Sequence, residues 1–519
     1  MFKNHPKGLL AASLSNMGER FGFYIMMAIL TLFISAKFGL SEETTGIIYS
    51  AFYASIYLLA LVGGIIADRT KNYKGTIIAG LILMAVGYVL IAIPTPTIVE
   101  SITPYLTLFC IGLAVIAFGN GLFKGNLQAL IGQLYDDPQY SKVRDAGFQI
   151  FYMFINVGGI FAPFVAVAIR NWWLKANGFA YNADLPALCH DYLQHGESMK
   201  PQALENLKEL ATRVPLDGQS FASTKDFAQS YLSVFSEGFH YAFAAAIVMI
   251  FVSLVIFFVN KSRFPNPGQK AVASTDGSKL SREEIKMSAQ EVRQRVTALF
   301  AVFAVVIFFW MSFHQNGFSL SYFARDYVDL STIRIDLGFT VIQGAEIFQA
   351  VNPIFVVLMT PVVMAIFGVL GRKGKEPSAP RKIAIGMGIA ALAYVFLSFV
   401  SLDLPGKEAL ADMSEAAKEG MRLTPMVMIG LYFILTVAEL FISPLGLSFV
   451  SKVAPPHMQG LMQGCWLAAT AIGNSLLFIG GILYTSLPLW ACWLFFVVAC
   501  AISMFLMLAM LKWLERIAK

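Results

Sequence analysis

The chain has 519 residues, of which 57% are hydrophobic and only 13% are charged, and its mean hydropathy is +0.66. A soluble protein of this length could not cover its surface with so few charges. The net charge is +6, yet no basic tract interleaved with aromatic residues suggests a nucleic-acid surface. The five cysteines form neither a disulfide framework nor a metal-ligand spacing. The composition predicts a polytopic membrane protein without a bound metal or cofactor.

Twelve apolar segments are each long enough to cross the ~30 Å hydrocarbon core of a bilayer. In chain order they are 9–36, 46–68, 75–94, 104–134, 146–169, 239–260, 296–325, 340–370, 383–401, 425–450, 459–484 and 487–512. The first is too long and too interrupted by charge to be a cleavable signal, so we expect it to stay as the first helix. The pattern predicts an all-α fold with twelve transmembrane helices.

Lysine and arginine are distributed unequally between the two sides of this topology. With the N-terminus inside, 24 of the 38 fall in cytoplasmic segments and 12 in outside loops, while Arg20 and Lys124 lie within spans. Cytoplasmic loops of membrane proteins carry the excess of positive charge. Both termini are therefore predicted to be cytoplasmic, in a bacterial inner membrane.

Two polar segments interrupt the apolar pattern. Residues 261–295 are rich in Pro, Ser and Lys and lie between six spans and six more. Within them Ser281 and Glu284 have the spacing of a helix-capping box. Residues 171–237 carry mixed charge and the helical pattern "PQALENLKELATRV". The first segment is predicted to be a cytoplasmic linker, and the second a small helical insertion on the outside.

The six-plus-six arrangement predicts an N-terminal bundle in residues 1–260 and a C-terminal bundle in residues 296–519. Two bundles related by an axis along the membrane normal resemble the major facilitator superfamily. The stretch "GGIIADRTKNYKG" (63–75) is also similar to the loop 2–3 motif of that superfamily. The expected fold is therefore the major facilitator fold, acting as a monomer in the lipid bilayer.

The first span carries charge where lipid-soluble side chains are expected. A charge at the centre of a membrane helix costs roughly 2.5 to 3.5 kcal/mol and is usually partnered and functional. Three- and four-residue steps place one set of residues on a single helix face: Asn16, Glu19, Arg20, Phe23, Tyr24 and Met27. Lys124 in span 4 and Glu439 in span 10 are the candidate partners. Together they predict a central polar cavity, and a purely structural salt-bridge network is the alternative.

Seven stretches resemble motifs of the proton-dependent oligopeptide transporter family, in the family's order and in both bundles. They are "NMGERFGFY" (16–24), "YSAFYASIYLLALVGGIIAD" (49–68), "FYMFINVGG" (151–159), "FFWMSFHQNGFSL" (308–320), "FQAVNP" (348–353), "AELFISPLGLS" (438–448) and "GCWLAATAIGN" (464–474). The resemblance implies symport of di- and tripeptides with protons by alternating access.

The resemblance also implies roles for individual residues. Glu19 would be a proton-responsive carboxylate with Lys124 as its counter-charge, and Arg20 would belong to the same cluster. Glu439 would meet the α-amino group of the substrate. Arg20 and Lys124 would be the central cations for the substrate carboxylate. Hydrogen bonds to the peptide backbone would come from Tyr24, Tyr57, Asn156 and Asn352, and its side-chain pockets would be lined by Trp310 and Trp466.

The chain departs from the family at four positions. Asn16 replaces the first Glu of the helix 1 motif and Phe23 the first Tyr, while Met27 replaces an Arg and His314 replaces the acid of helix 7. That Arg and acid can pair in the family, and losing one alone would strand a buried charge. Because free histidine has a pKa near ~6.5, His314 is a plausible replacement as proton carrier. A neutral histidine in a packed helix interface is the alternative.

The proton-coupling candidates are therefore Glu19, His314 and Glu439, with protons as the only coupling agent. Other transporter functions remain open: carriage of another small zwitterionic or anionic solute, or of peptides with weakened proton coupling. An intramembrane enzyme is disfavoured, because the chain has no H-E-x-x-H motif, Asp-rich metal cluster or Ser/His/Asp arrangement. A receptor would not need buried charges in both bundles.

Overall fold

The computed structural model describes residues 5–70, 72–97, 100–135, 139–140, 144–216, 218–265, 289–455 and 459–517. Within them, twelve helical segments are long and apolar enough to cross a membrane. The helices are α1 (Lys7–Phe38), α2 (Glu42–Thr70), α3 (Tyr73–Ala92), α4 (Thr103–Leu134), α5 (Arg144–Ala176), α6 (Leu185–His195), α7 (Pro201–Arg213), α8 (Thr224–Val259), α9 (Ala289–Phe313), α10 (Ser319–Tyr327), α11 (Val351–Arg372), α12 (Ala379–Val400), α13 (Lys407–Ala411), α14 (Glu415–Met421), α15 (Met426–Val453), α16 (Gln459–Ser475), α17 (Phe478–Ser486) and α18 (Leu489–Ile517).

These helices form the two six-helix bundles of the major facilitator fold. The N-terminal bundle contains α1 to α5 and α8, and the C-terminal bundle contains α9 with α10, α11, α12, α15, α16 with α17, and α18. Helix α1 packs against α5 and α8 and is buried along nearly its whole length. Its polar face therefore points into protein rather than toward lipid.

Small residues let the N-terminal helices approach one another closely. A Cβ atom added at Gly80 of α3 would lie 2.6 Å from the carbonyl oxygen of Gly119 in α4. A Cβ atom at Gly63 of α2 would overlap the backbone at Gly121 of α4. In membranes, where helix association depends on close packing, such glycines fix which helix faces meet. They set the position of α4, which carries Lys124.

Two of the predicted spans are broken. Span 7 is interrupted by a 3-10 turn at His314–Gly317, and span 11 is interrupted between α16 and α17. Non-helical backbone is tolerated at membrane depth where protein satisfies its polar groups. Here the Gln315 amide donates to the carbonyl oxygens of Met311 and Leu477, each at 3.2 Å, and so bridges both breaks.

Predicted span 8 begins later than its hydropathy suggests. Residues Ile335–Asp336 (β1) and Val341–Ile342 (β2) form a two-stranded antiparallel hairpin, and Ala345–Ala350 form a 3-10 helix before α11. The apolar side chains of residues 340–350 therefore belong to a compact connection. They pack against the end of α5 instead of extending a helix.

The insertion is shorter than the predicted 171–237. Helix α5 continues to Ala176 and α8 begins at Thr224, which leaves α6 and α7 between them; "PQALENLKELATRV" is α7, as expected. We call residues 177–223 the insertion, the end of the molecule that carries it the insertion side, and the opposite end the linker side. The predicted capping box of Ser281 and Glu284 lies outside the described residues, as do Lys71 and the side chain of Asp68 in the loop 2–3 motif.

Candidate binding site between the bundles

Glu19 and Arg20 are paired with each other in the middle of the N-terminal bundle. Arg20 Nη2 donates to Glu19 Oε1 at 2.6 Å, and Arg20 Nε donates to the second carboxylate oxygen. Asn120 of α4 donates to Glu19 Oε1 at 2.8 Å. All three side chains are buried. The carboxylate is thus held by two parallel bonds to a guanidinium, the strong arrangement for such a pair.

Lys124 forms no ion pair with Glu19 in this structure, although the two side chains still interact electrostatically. The Lys124 Nζ atom lies 4.5 Å from the centroid of the Tyr57 ring, and no carboxylate of a described residue forms an ion pair with it. The reason is local, because Arg20 is adjacent in the chain to Glu19 and occupies both of its oxygens. Lys124 is stabilised instead by a cation–π contact.

Glu439 lies on α15 in the C-terminal bundle. Its Oε2 atom accepts a hydrogen bond from Asn352 Nδ2 at 2.9 Å, and the same amide lies 3.0 Å from Thr436 Oγ1. No Lys or Arg among the described residues lies within ion-pair distance of this carboxylate. The half-buried carboxylate is therefore oriented by an amide without being neutralised.

Three tyrosines of the N-terminal bundle lie near Glu439. Tyr24 of α1, Tyr57 of α2 and Tyr152 of α5 all interact electrostatically with the Glu439 carboxylate. Asn156 donates to the carbonyl oxygen of Tyr152 at 3.2 Å. Tyr57 therefore lies near both Lys124 of its own bundle and Glu439 of the other bundle.

His314 lies at the break between α9 and α10. Its Nδ1 atom lies 2.5 Å from Asn474 Oδ1 and donates to it, and its ring stacks on Trp310 at 5.0 Å between ring centroids. The Tyr53 ring of the other bundle lies 4.9 Å away. Met27, at the other position where the family has charge, is buried. Both altered positions are packed in the protein interior.

Trp310 and Trp466 are both buried in the C-terminal bundle. The Trp310 Nε1 atom has no hydrogen-bond partner among the described residues. The Trp466 ring lies against Gly446, where a Cβ atom would overlap it, and its centroid is 6.1 Å from that of Phe303. In this conformation both indoles pack between helices, and their role in lining side-chain pockets stays a prediction.

Two charged clusters were missed by the sequence reasoning. Arg170 of α5 forms an ion pair with Glu346, and both side chains are fully buried. At the end of α10, Asp326 accepts from Arg325 at 2.6 Å and from Lys407 at 2.5 Å. A signal for the first pair was present, since Glu346 falls inside the predicted span 340–370 and Arg170 follows the apolar run "FVAVAI".

Together, the fold and this site define a class. Twelve membrane helices in two bundles, with Lys124 of one bundle and Glu439 of the other both near Tyr57, are the architecture of a major facilitator transporter. The protein is a transporter and not an enzyme.

Comparison with known proteins identifies the family. The family model described as "POT family" matches residues 74–282 and 273–486, so the chain belongs to the POT family. It is 28% identical to the peptide transporter YePEPT of Yersinia enterocolitica, over 91% of this chain and 87% of that protein. It is also 28% identical to dipeptide and tripeptide permease B of Shigella dysenteriae, over 88% and 83%. A solved POT family transporter in complex with 5-aminolevulinic acid covers 100% of this chain and 98% of its own, with a TM-score of 0.70 and 21% identity.

Proposed function

We propose that this protein imports di- and tripeptides together with protons by alternating access. The observation that carries the proposal is the pair of opposite, uncompensated charges on the two bundles, Lys124 beside Tyr57 and Glu439 beside Asn352. A zwitterionic peptide offers one carboxylate and one ammonium group, which these residues complement. The names of the relatives, a peptide transporter and a dipeptide and tripeptide permease, support the same substrate class.

The energetics favour recognition of both ends of the peptide. Two unit charges 4 Å apart attract by about 4 kcal/mol at an effective dielectric constant of about 20. Because neither Lys124 nor Glu439 forms an ion pair with a described residue, binding does not first break one. Arg20 stays part of the proposed substrate site, and it would contact the substrate while it remains hydrogen-bonded to Glu19.

Proton coupling is proposed at His314, Glu439 and Glu19. His314 contacts Tyr53 of the N-terminal bundle and Trp310 and Asn474 of its own bundle, so its charge state acts on the interface that must open. Asn474 Oδ1 accepts only from a protonated Nδ1 atom, which fixes the proton of the neutral ring at this nitrogen. A second proton at Nε2 would add a charge close to Lys124, with which His314 interacts electrostatically.

The proposed orientation has the linker side in the cytoplasm of a bacterial cell. The linker side carries twice as many Lys and Arg residues as the insertion side, 24 against 12. The positive-inside rule then puts the chain termini in the cytoplasm and the insertion outside the inner membrane. The monomer contains the complete pair of bundles, and a monomeric transporter is part of the proposal.

The test is uptake of labelled dialanine into liposomes that contain the purified protein, with and without an inward proton gradient. Gradient-stimulated accumulation is expected. Gradient-independent exchange alone would leave peptide transport standing and remove proton coupling. Absence of uptake by folded protein would overturn the peptide assignment and favour another small zwitterionic or anionic solute.

The role of His314 is tested with a matched pair of buried histidines. His314→Gln is expected to abolish gradient-driven accumulation while dialanine exchange persists. His240→Gln is the control, because His240 is also buried and bonds the carbonyl oxygen of Ile91 at 2.9 Å within the N-terminal bundle. Unchanged accumulation in His314→Gln would remove this residue from the coupling mechanism.

A further inference from the structure

A fully buried ion pair joins the two bundles on the insertion side. Arg170 Nη1, from the end of α5, donates to Glu346 Oε1, from the 3-10 helix before α11. The same guanidinium donates to the Gln343 carbonyl oxygen at 3.1 Å and to Asn171 Oδ1 at 3.0 Å. Its carbon lies 4.3 Å from the centroid of the Tyr181 ring. Every nitrogen of Arg170 is thus engaged, and two of the three bond the other bundle.

The surrounding backbone is held by further bonds between the bundles. Asn171 Nδ2 donates to the carbonyl oxygens of Val341 and Gln343 at 2.7 and 2.9 Å. Thr340 Oγ1 donates to the carbonyl oxygen of Ala168 at 2.6 Å. Residues 335–346 of the C-terminal bundle are therefore fastened to the end of α5, and the ion pair lies at the centre of that contact.

We infer that Arg170 and Glu346 form the outer gate of the transport cycle. A transporter that works by alternating access needs a contact that closes the interface between its two bundles on one side of the membrane. Arg170 and Glu346 supply one between α5 and the start of α11. The inference rests on the proposed alternating access, because a gate has meaning only if the insertion side opens.

The geometry suits a gate that opens repeatedly. Glu346 Oε2 has no hydrogen-bond partner among the described residues, so the pair lacks the second bond of a bidentate fork. A pair held through one carboxylate oxygen is weaker than the doubly bonded Glu19–Arg20 pair, which lies within one bundle. The weaker Arg170–Glu346 pair joins two bundles that must separate, and the stronger Glu19–Arg20 pair lies within one bundle that stays intact.

Solvent can reach the pair as soon as the bundles part. A cavity of about 260 Å³ lies between the insertion and the bundles, and its lining includes Glu42, Arg170 and Arg325. Glu42 of the N-terminal bundle forms ion pairs with Arg325 and Lys407 of the other bundle, both at 3.2 Å. Hydration of the separated charges offsets the cost of breaking these pairs, which would be prohibitive in a closed interior.

The gate is tested by measuring a distance across the insertion side. Spin labels at Glu43 and Glu408, which are both exposed and lie on opposite bundles, report separation of the two halves by double electron–electron resonance. Labels at Glu43 and Glu100 report within one bundle and should stay constant. Measurements use the full-length protein in liposomes at fixed pH without substrate.

Two gate variants are compared with wild type. Glu346→Gln keeps the shape of the side chain and removes its charge, and Arg170→Met/Glu346→Leu removes both charges so that none is stranded. Each is expected to raise the ratio of long to short Glu43–Glu408 distances at least tenfold. The control is Lys382→Met/Glu376→Leu, which removes an ion pair within the C-terminal bundle on the linker side.

An unchanged distance ratio in the folded double variant would overturn the gate. Equal lengthening in the control variant would also overturn it, because general loosening would then explain the result. If wild type takes up no dialanine, the proposed peptide transport is overturned. The ratio of Glu43–Glu408 distances would still show whether the Arg170–Glu346 pair closes the insertion side.

Discussion

The ammonium group of Lys124 and the ring of Tyr57 form a cation–π pair 4.5 Å apart, on two helices of the same bundle. This contact holds a lysine inside the membrane without a carboxylate beside it. The positive charge remains available to a visiting anion, which an ion pair with Glu19 would have prevented. Arg20 pairs with the Glu19 carboxylate and Asn120 donates a hydrogen bond to it, so Glu19 is already engaged without Lys124.

Replacing Lys124 should remove the carboxylate-binding end of the site. Lys124→Met is expected to weaken dialanine affinity at least about tenfold, or ~1.4 kcal/mol, measured by isothermal titration calorimetry on the detergent-solubilised protein. Lys261→Met is the matched control, because Lys261 Nζ also stacks on an aromatic ring, 4.0 Å from the centroid of Phe258. Equal affinity in the Lys124 variant and wild type would show that the substrate carboxylate binds elsewhere.

Replacing Glu439 should remove the amino-binding end. Glu439→Gln keeps a side chain that can still meet Asn352, but it lacks the charge that attracts an ammonium group. Dialanine affinity should fall at least about tenfold, ~1.4 kcal/mol, whereas N-acetyl-dialanine should bind wild type and variant equally. Comparing both ligands on both proteins forms a double-mutant cycle that measures the coupling between the Glu439 side chain and the ligand's amino group. Additive losses in that cycle would place the amino group away from Glu439.

The membrane-spanning architecture could be predicted because hydropathy is a property of single segments. The breaks at His314–Gly317 and between α16 and α17 could not, because their stability depends on Gln315 bonding carbonyls on both helices. The apolar pattern of a sequence does not show that one side chain hydrogen-bonds the backbone at two separate helix breaks. The hairpin at residues 335–342 was missed for a related reason, since its second strand, Val341–Ile342, packs on α5.

The candidate site shows the same division. Charge within apolar spans identified four residues from the sequence: Glu19, Arg20, Lys124 and Glu439. Each lies on the membrane helix that was expected to carry it. Their pairing could not be deduced, because three-dimensional distances decided that Arg20, and not Lys124, bonds Glu19. The Arg170–Glu346 pair joins residues 176 positions apart, so no local pattern links them.

Two adjacent glycines of α2 provide a test of the close packing that sets the position of α4. Gly63→Ala should destabilise the protein by ~1–3 kcal/mol, because its Cβ atom would overlap the backbone at Gly121. Gly64→Ala should be tolerated, since nothing lies within 4 Å of a Cβ atom there. Thermal unfolding in detergent distinguishes them, and equal melting temperatures would contradict the close α2–α4 contact.

The link between the insertion and α1 should be sensitive to pH. His190 of α6 bonds the carbonyl oxygen of Ala36 through Nε2 at 2.8 Å, and burial lowers the pKa of its ring. The unfolded chain therefore binds a proton on this histidine at a higher pH than the folded protein does. Folded stability should fall as the pH drops below about 6.5, the value for a free histidine.

His190→Gln should reduce that loss of stability between pH 7 and pH 5, measured by thermal unfolding in detergent. His195→Gln is the control, because His195 is exposed and pairs with Asp191 at 2.8 Å on the surface of the same helix. If stability fell with pH as steeply in both variants as in wild type, burial of His190 would not contribute to the pH dependence.

The charge cluster at the end of α10 should be essential for stability on the insertion side. Asp326 accepts from Arg325 and Lys407, and the Tyr484 hydroxyl donates to it at 2.9 Å. Asp326→Asn would leave two cations near one another, and among the described residues Glu42 would be the one carboxylate still paired with them. Breaking a buried pair from one side costs about 3–5 kcal/mol, so the melting temperature in detergent should fall steeply.

The neighbouring Asp329 separates this electrostatic effect from a general loss of carboxylates. The Asp329 carboxylate bonds only locally among the described contacts, accepting from the backbone nitrogen of Ser331 at 2.9 Å and from its hydroxyl at 2.5 Å. Asp329→Asn should therefore cost less than ~1 kcal/mol, in the range of an exposed surface substitution. Asp326→Glu, which keeps the charge, should recover part of the stability lost in Asp326→Asn. Equal melting temperatures of the Asp326→Asn and Asp329→Asn variants would mean that the buried charges at the end of α10 are compensated by other groups.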